Sequence, residues 1–292
     1  MTTLIPAVPA PPAAPPAAPA PPRALVDVTA TSRRATRRRE VPRGLRRLTG
    51  PVALVAAWAV ASNTGLLDPQ LLPPPQEVLT AAGRLVADGE ALTHLWASLQ
   101  RVLAGVALGV VAGGLLAVLA GLSRLGEDLL DSTMQVFKAV PNFALTPLLV
   151  MWMGIGEGPK ILLITLGVSI AIYINTYSAI RGVDSQLVEV ARTLELSRFA
   201  LVRHVVLPGA LPGFLVGLRL ALSSAWLSLI FAETINTTEG LGYLMTRAQT
   251  MLQFDVSVLL LLVYAAVGLL SYAFVRFLER RLLQWRRGFT GA

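Results

Sequence analysis

The sequence predicts an all-α polytopic membrane protein with about six transmembrane helices and a helical loop on one side of the membrane. Of its 292 residues, 54% are hydrophobic and 14% are charged, and the apolar residues gather in six long runs. A helix needs about 20 apolar residues to cross a hydrocarbon core of roughly 30 Å, and each run approaches that length. The strands of a β-barrel would alternate apolar and polar residues, which these runs do not do.

Each predicted span corresponds to one apolar run. The spans are residues 48–67, 99–122, 129–153, 161–180, 211–231 and 256–278. The first run is the least uniformly apolar, since the polar residues Ser62, Asn63 and Thr64 lie near its end. The third contains Pro141 and Pro147, and we expect a kink there because a proline inside a helix removes a backbone hydrogen bond.

The N-terminal residues lie outside the apolar runs. Residues 6–22 are almost entirely proline and alanine, a composition that cannot bury a core. Residues 33–47 hold eight arginines. We therefore expect a disordered Pro/Ala-rich and Arg-rich tail at 1–47, a transmembrane domain at 48–287 and a C-terminal tail at 288–292. The net charge of +8 could indicate nucleic-acid binding, but an arginine run beside an apolar span sets orientation in the lipid bilayer instead.

Arginine and lysine are distributed unevenly between the segments that join the spans. The N-terminal segment, the segment after the fourth span and the C-terminal segment are rich in arginine, whereas the opposite segments are mainly acidic. Positive charge accumulates on the cytoplasmic side. The sequence therefore predicts a multi-pass protein of the cytoplasmic membrane with both termini in the cytoplasm.

The sequence contains no motif for catalysis, ATP binding or metal binding. It lacks a P-loop, H-E-x-x-H, G-x-S-x-G and cysteine, and its two histidines, His94 and His204, fall in loops predicted on opposite sides of the membrane. They form no metal site and offer no base to Ser169. The spans hold few ionisable groups, which argues against a proton-driven carrier. We expect a protein that is not an enzyme, binds no cofactor, and receives any energy from another polypeptide.

The loop 181–208 is too polar to span and too regular for a linker. Its apolar residues recur at helical spacing, at Leu187, Ala191, Leu194, Phe199, Val202 and Val206. This predicts one or two short amphipathic helices, ended by Pro208. The periodicity is equally consistent with a membrane-surface helix that separates two spans and with a docking helix for a cytoplasmic partner.

This loop resembles the coupling-loop signature of ATP-binding-cassette (ABC) importer permeases, which reads Glu-Ala-Ala, three residues, Gly, nine residues and Ile-x-Leu-Pro. The matching residues are Glu189, Val190, Ala191, Val205, Leu207 and Pro208. The family glycine falls on Glu195, and a glutamate in the left-handed turn that glycine permits costs about 1 kcal/mol. We therefore expect that the loop turns differently or that its two helices run together.

The resemblance covers about residues 52–287 and is greatest for the sulfonate, taurine and nitrate branch. Similar segments occur in the same order at 71–78, 98–102, 147–157, 175–176, 181–184, 209–212, 217–219, 225–226 and 239–244. The resemblance implies a permease subunit that forms the path for a small oxyanion. It also implies cytoplasmic ATPase subunits, an extracytoplasmic solute-binding protein and a second permease copy, as in a homodimer.

Two sets of candidate residues follow. The resemblance implies an ATPase-coupling loop formed by Leu187, Glu189, Ala191, Arg192, Leu194, Glu195, Val205, Leu207 and Pro208. Glu189 and Arg192 would contact the ATPase, and Leu187, Ala191 and Leu194 would provide the packed face. Polar residues that could line the path or a gate are Ser169, Asn175, Arg219, Ser223, Ser228, Glu233 and Asn236, and helix packing is the alternative role for each.

Arg219 could pair with an acidic group or favour an anionic solute. For the whole chain, the alternatives to a permease subunit are a stand-alone channel or secondary carrier, which would transport without ATP, and an intramembrane enzyme.

Overall fold

The computed structural model describes residues 43–66, 68, 71–235 and 237–285, with only the backbone described at 43–48. It divides the chain into two compact units, Met1–Val52 and Ala53–Ala292. In the first unit, the described residues are the start of helix α1 (Arg43–Asn63). Most of the tail expected at 1–47 and all of that at 288–292 lie outside the described residues, so these domain boundaries stay a prediction.

All regular elements among the described residues are helices, as predicted. After α1 they are α2 (Pro75–Ala87), α3 (Glu90–Leu122), α4 (Arg124–Ala139), α5 (Thr146–Met153), α6 (Glu157–Arg181), α7 (Ser185–Thr193), α8 (Arg198–Leu201), α9 (Leu207–Thr234), α10 (Leu241–Thr250) and α11 (Phe254–Leu282). A 3-10 turn, Asn142–Leu145, joins α4 to α5, and a π-turn, Val202–Val206, joins α8 to α9.

In the part of the chain that the structure describes, four to five of the expected spans, about six in number, are present. Four helical segments are long and apolar enough to cross a membrane: α3, α6, Arg198–Thr234 and α11. A bent fifth span results if α4 and Asn142–Met153 are counted together. The predicted span at 48–67 is not among them. Arginines occupy the start of α1 and the helix ends at Asn63, so the apolar stretch between them is shorter than the ~20 residues a span needs.

The predicted third span, 129–153, is two helices that meet at an angle of 87°. Val140 is extended, with φ −82° and ψ 124°, which is the conformation favoured before a proline. Pro141 then has no N–H to continue the α4 ladder. The kink expected here is confirmed and is close to a right angle. Pro147 lies in the first turn of α5, where a proline is tolerated.

The core is formed by α6, packed between α3 and α9. Ile164 and Val168 of α6 are fully buried and belong to one apolar cluster with Leu215 of α9. On α3, a Cβ at Gly105 would lie 2.5 Å from the Ile164 side chain, and one at Gly109 would lie 2.6 Å from that of Val168. Glycine therefore lets the two helices approach closely, as is common between membrane helices. This packing positions the remaining faces of α6 and α9 beside the bend after α4.

Candidate functional site

A cleft of about 560 Å³ lies between the end of α4, the bend that follows it, α6 and α9. Its wall is mainly apolar. The polar side chains that line it are Lys138, Asn142, Asn175, Ser224 and Ser228. Among the described residues that line it, none is an aspartate or a glutamate. The cleft thus combines an apolar surface with one cationic group and several neutral hydrogen-bonding groups.

Asn142 holds the bend against both neighbouring helices. Its Nδ2 donates to the Leu163 carbonyl of α6 and to Ser228 Oγ of α9, each at 2.9 Å. A Cβ on Gly167 would lie 2.8 Å from this Nδ2 and 2.9 Å from Ser224 Oγ, so glycine at 167 makes room for these polar groups. Asn142 Oδ1 is buried and has no hydrogen-bond partner among the described residues. A buried acceptor without a partner is costly, since it has lost its hydrogen bond to water without replacing it.

Of the residues predicted for a path, Asn175 and Ser228 line this cleft. Ser169 does not, because it is buried and its Oγ donates to the Leu166 carbonyl of its own helix at 3.0 Å. Ser223 also lies outside the cleft, and its Oγ donates to the Arg219 carbonyl at 3.3 Å. Asn236 lies outside the described residues.

Arg219 projects from α9 toward α11 rather than into the cleft. Its guanidinium forms an ion pair with Glu279 and lies 5.2 Å from the centroid of the Tyr272 ring, both on α11. Of the two roles expected for Arg219, pairing with an acidic group is the one that the structure shows. The residue joins two helices.

Glu233, predicted for a gate, lies in a buried polar network at the end of α9. It is 1% exposed. Its carboxylate accepts from Ser98 Oγ at 2.8 Å, from Arg101 Nη1 at 2.6 Å and from the Gly242 N–H at 2.8 Å. Arg101 also binds Glu157 of α6, with 2.5 Å between Nε and Oε2. The network therefore joins α3, α6, α9 and the start of α10, and the sequence reasoning missed Arg101 as its centre.

The segment between α9 and α10 is held by three side chains of α3. His94 Nδ1 accepts from the Gly240 N–H at 2.9 Å, and Ser98 Oγ accepts from the Leu241 N–H at 2.8 Å. Arg101 donates to the Glu239 carbonyl at 2.7 Å. Gly240 has φ +127°, and a Cβ there would collide with the Glu233 carboxylate. Hydrogen bonds, in addition to apolar packing, therefore fix this end of the helices.

Two ion pairs nearer the surface tie the same end together. Arg247 of α10 binds Glu90 of α3 at 2.6 Å, and this hydrogen bond raises the pKa of Arg247. Arg84 of α2 binds Asp255 of α11 at 2.5 Å, with the Arg84 side chain 62% exposed. Exposed pairs of this kind contribute little stability, typically less than about 1 kcal/mol. We therefore expect the loss of a partner in the buried network to cost more stability than the loss of the exposed Arg84–Asp255 pair.

At the other end, the predicted coupling loop forms two capped helices. The Asp184 side chain accepts from the Gln186 N–H at 2.9 Å at the start of α7, and Ser197 Oγ accepts from the Ala200 N–H at 3.2 Å at the start of α8. Side-chain caps of this type stabilise a helix start by about 1 kcal/mol. The loop is therefore a folded unit, as its periodicity predicted.

Glu195 occupies the left-handed turn that the family glycine would occupy. Its φ is +53°, its N–H donates to the Arg192 carbonyl at 2.9 Å, and the Leu196 N–H donates to the Ala191 carbonyl at 3.1 Å. These two hydrogen bonds form a Schellman motif, the common end of an α-helix. The expectation of a different turn or of merged helices is therefore wrong, because the two hydrogen bonds and the following Ser197 cap keep the turn despite the side chain.

Of the three residues expected to form a packed face, Ala191 is buried within the described chain, at 2% exposed. Leu187 and Leu194 are 54% and 70% exposed, because only one edge of α7 contacts the rest of the described chain. Glu189 and Arg192 are exposed. Several of these residues line a second cleft of about 360 Å³ together with Leu196, Val205, Pro208 and Trp285. An exposed apolar surface rimmed by charge is typical of a protein-binding site.

Pro208 does not end the second helix of this loop, contrary to the prediction. The helix runs from α8 through the Val202–Val206 π-turn into α9, and Pro208 lies in the first turn of α9. The Leu207 N–H donates to the Val202 carbonyl, five residues back. Pro208 has no N–H to donate to the preceding turn, and the wider π-turn at this point lets the helix continue past the proline. The second helix of the predicted coupling loop and the α9 wall of the first cleft therefore belong to one continuous helical segment, Arg198–Thr234.

Comparison with known proteins gives consistent results. Residues 105–284 match the family described as binding-protein-dependent transport system inner membrane component. The chain is 46% identical over 235 residues to SsuC, an aliphatic sulfonates transport permease protein of Escherichia coli (strain K12), covering 80% of this chain and 89% of that protein. It is 35% identical over 237 residues to TauC, the taurine transport system permease protein of the same strain, covering 80% and 86%.

Two solved structures have a similar fold. One is an amino acid ABC transporter with histidines, with a TM-score of 0.55 and 19% identity, covering 68% of this chain and 97% of that chain. The other is an inward-facing form of the MetNI methionine ABC transporter, with a TM-score of 0.52 and 21% identity, covering 62% and 92%.

Proposed function

The chain belongs to the family of binding-protein-dependent transport system inner membrane components, and from this premise we propose that it is the membrane subunit of an ABC importer for a small sulfonate-type oxyanion. The observation that carries this proposal is the 46% identity to SsuC over 80% of the chain. TauC, which transports another sulfonate, is 35% identical. The cleft between α4, α6 and α9, which contains Asn175 and Ser228, provides the path across the membrane.

The α7–α8 loop is the docking surface for a cytoplasmic ATPase in this proposal. The exposed Leu187, Leu194 and Val190 offer apolar contact, and Glu189 and Arg192 offer charged contact. Because α8 continues into α9, a displacement of the loop by the ATPase would move Ser228 and Phe231 in the wall of the cleft. The sequence has no P-loop, so ATP hydrolysis belongs to the partner subunit.

We place α7, α8 and both termini on the cytoplasmic side and the Glu233 network on the outer side, where a solute-binding protein would deliver the substrate. The distribution of arginine supports this orientation. The Arg101–Glu233 network and the segment before α10 would form the outer gate, and Asn236, which lies outside the described residues, stays a prediction for the same gate. A second copy of the chain would complete the path, since the cleft is open on one side and no residue of α4 is buried.

The test is uptake by the complete transporter in proteoliposomes. The chain is reconstituted with the ATPase and the solute-binding protein of the same organism, and ATP-dependent accumulation of radiolabelled 1-butanesulfonate is measured. The expected result is uptake that requires ATP and all three components. Uptake by the chain alone, without ATP, would overturn the proposal and favour a stand-alone channel or secondary carrier.

A further inference from the structure

Lys138 is the one charged side chain among the described residues that line the 560 Å³ cleft. It lies in the last turn of α4, within the bent segment long and apolar enough to count as a span. Its side chain is exposed to the cleft and forms no ion pair with a described residue. An ionisable group within a membrane segment is costly and usually serves a substrate or ion pathway.

The other lining residues divide into two chemical kinds. Asn142, Asn175, Ser224 and Ser228 are neutral hydrogen-bonding groups, and the Asn142 and Ser228 side chains are already fixed by the 2.9 Å bond between them. The remainder are mainly large apolar side chains, including Phe143 and Phe231, whose rings stack with 4.7 Å between centroids. Nothing among these described residues would neutralise a cationic solute.

We propose that Lys138 selects the solute by its charge, so that the cleft favours an alkanesulfonate over a zwitterion such as taurine. This inference rests on the proposed function and deepens it by naming the substrate class. The Lys138 ammonium attracts the permanent negative charge of a sulfonate, and the hydroxyls of Ser224 and Ser228 and the second N–H of Asn175 Nδ2 can donate to its oxygens. The aliphatic tail then lies against the phenylalanine side chains, where its apolar surface is removed from water.

Taurine carries an ammonium group in place of the apolar tail end. In the cleft this group would lose water without gaining a carboxylate, because no described lining residue is acidic, and Lys138 would repel it. Selectivity thus arises both from attraction to one solute and from an unfavourable environment for the other. A small inorganic oxyanion such as nitrate would be attracted by the charge but would leave the apolar wall in contact with water.

The experiment uses the whole transporter in proteoliposomes, with 1-butanesulfonate and taurine as probes. Each solute is supplied at a concentration that saturates the solute-binding protein, so that differences in the affinity of that protein for the two solutes do not affect the measured rates. Three variants are compared: Lys138→Gln removes the charge, Lys138→Arg keeps it, and Arg276→Gln removes an equal charge from an exposed position on α11, outside the cleft.

We expect Lys138→Gln to lower the maximal rate of 1-butanesulfonate uptake by about tenfold, while Lys138→Arg and Arg276→Gln stay within about threefold of the wild type. We also expect the wild type to transport 1-butanesulfonate faster than taurine, a measurement that needs no variant. The role of Lys138 would be overturned if the Lys138→Gln variant took up 1-butanesulfonate at the wild-type rate, or if the wild type transported the two solutes at equal rates. If the wild-type complex imports neither solute, the proposed function itself fails.

Discussion

Arg101 of α3 and Glu233 of α9 form a buried ion pair, with 2.6 Å between Nη1 and Oε1 and with side chains that are 7% and 0% exposed. Each charge is further compensated, Arg101 by Glu157 and Glu233 by Ser98 and the Gly242 N–H. A buried ion pair of this kind adds little to stability compared with apolar packing, but removing one partner leaves an uncompensated charge. The pair therefore makes the arrangement of α3, α9 and the segment before α10 sensitive to a single substitution.

Replacing Arg101 by methionine should destabilise the protein by about 3–5 kcal/mol, because the Glu233 carboxylate is left buried without its counterion. The measurement is the free energy of unfolding of the purified chain in detergent. Arg84→Met is the control, since its pair with Asp255 is largely exposed and should cost less than about 1 kcal/mol. The double variant Arg101→Met, Glu233→Gln should regain part of the loss. Equal losses for Arg101→Met and Arg84→Met would contradict the importance of the buried pair.

Replacing Gly113 by alanine should separate α3 from α6. A Cβ at Gly113 would collide with the Ser169 backbone carbonyl, whereas one at the adjacent Gly114 meets nothing within 4 Å. Thermal unfolding should show a loss of about 1–3 kcal/mol for Gly113→Ala. Gly114→Ala should be neutral or stabilising by up to about 1 kcal/mol, the difference in helix propensity. If the two variants unfold alike, close packing at Gly113 is not required.

Replacing Glu195 by glycine should stabilise the coupling loop by about 1 kcal/mol, because glycine adopts the left-handed conformation without a steric penalty. Hydrogen exchange of the amides that close the turn, those of Glu195 and Leu196, is the appropriate measurement, and it should slow by about fivefold in Glu195→Gly. Glu195→Ala removes the same charge but keeps the Cβ, so its exchange should remain close to that of the wild type. Faster exchange in Glu195→Gly would show that the glutamate side chain itself holds the turn.

Replacing Glu189 by lysine should weaken ATPase association and lower solute uptake by at least about tenfold, because it reverses a charge on the proposed docking surface. Glu189 is exposed, so membrane insertion and folding should be unaffected. Leu194→Asp should act in the same way by placing a charge in the exposed apolar patch. ATPase copurification and reconstituted uptake measure both effects. Normal association and uptake in both variants would refute the docking role.

Ala191→Asp would be a less informative variant than these two. Ala191 is 2% exposed and packs within the chain, so an aspartate there would disturb the fold of α7 itself. A loss of uptake in that variant would therefore not distinguish docking from folding.

The sequence determined the class of protein and the approximate position of its helices. Long apolar runs permit only helices in a bilayer, and four of the predicted spans correspond to α3, α6, α9 and α11. The helical character of the proposed coupling loop was also predictable, because the spacing of its apolar residues is a local property of one segment. The position of such helices depends on the pattern of neighbouring residues, so it can be predicted from the sequence of one segment alone.

Only the tertiary structure decided which polar residues come together. Asn142 and Ser228 are 86 residues apart, and Arg101 and Glu233 are 132 residues apart, yet each pair is in hydrogen-bond contact. A proline also does not determine the angle of a bend. The 87° angle after α4 depends on the contacts of the bend with other helices, such as the hydrogen bond from Asn142 to the Leu163 carbonyl. Pairing and angle arise from packing between distant segments, which is why Lys138 becomes part of a cleft only when α4, α6 and α9 are assembled.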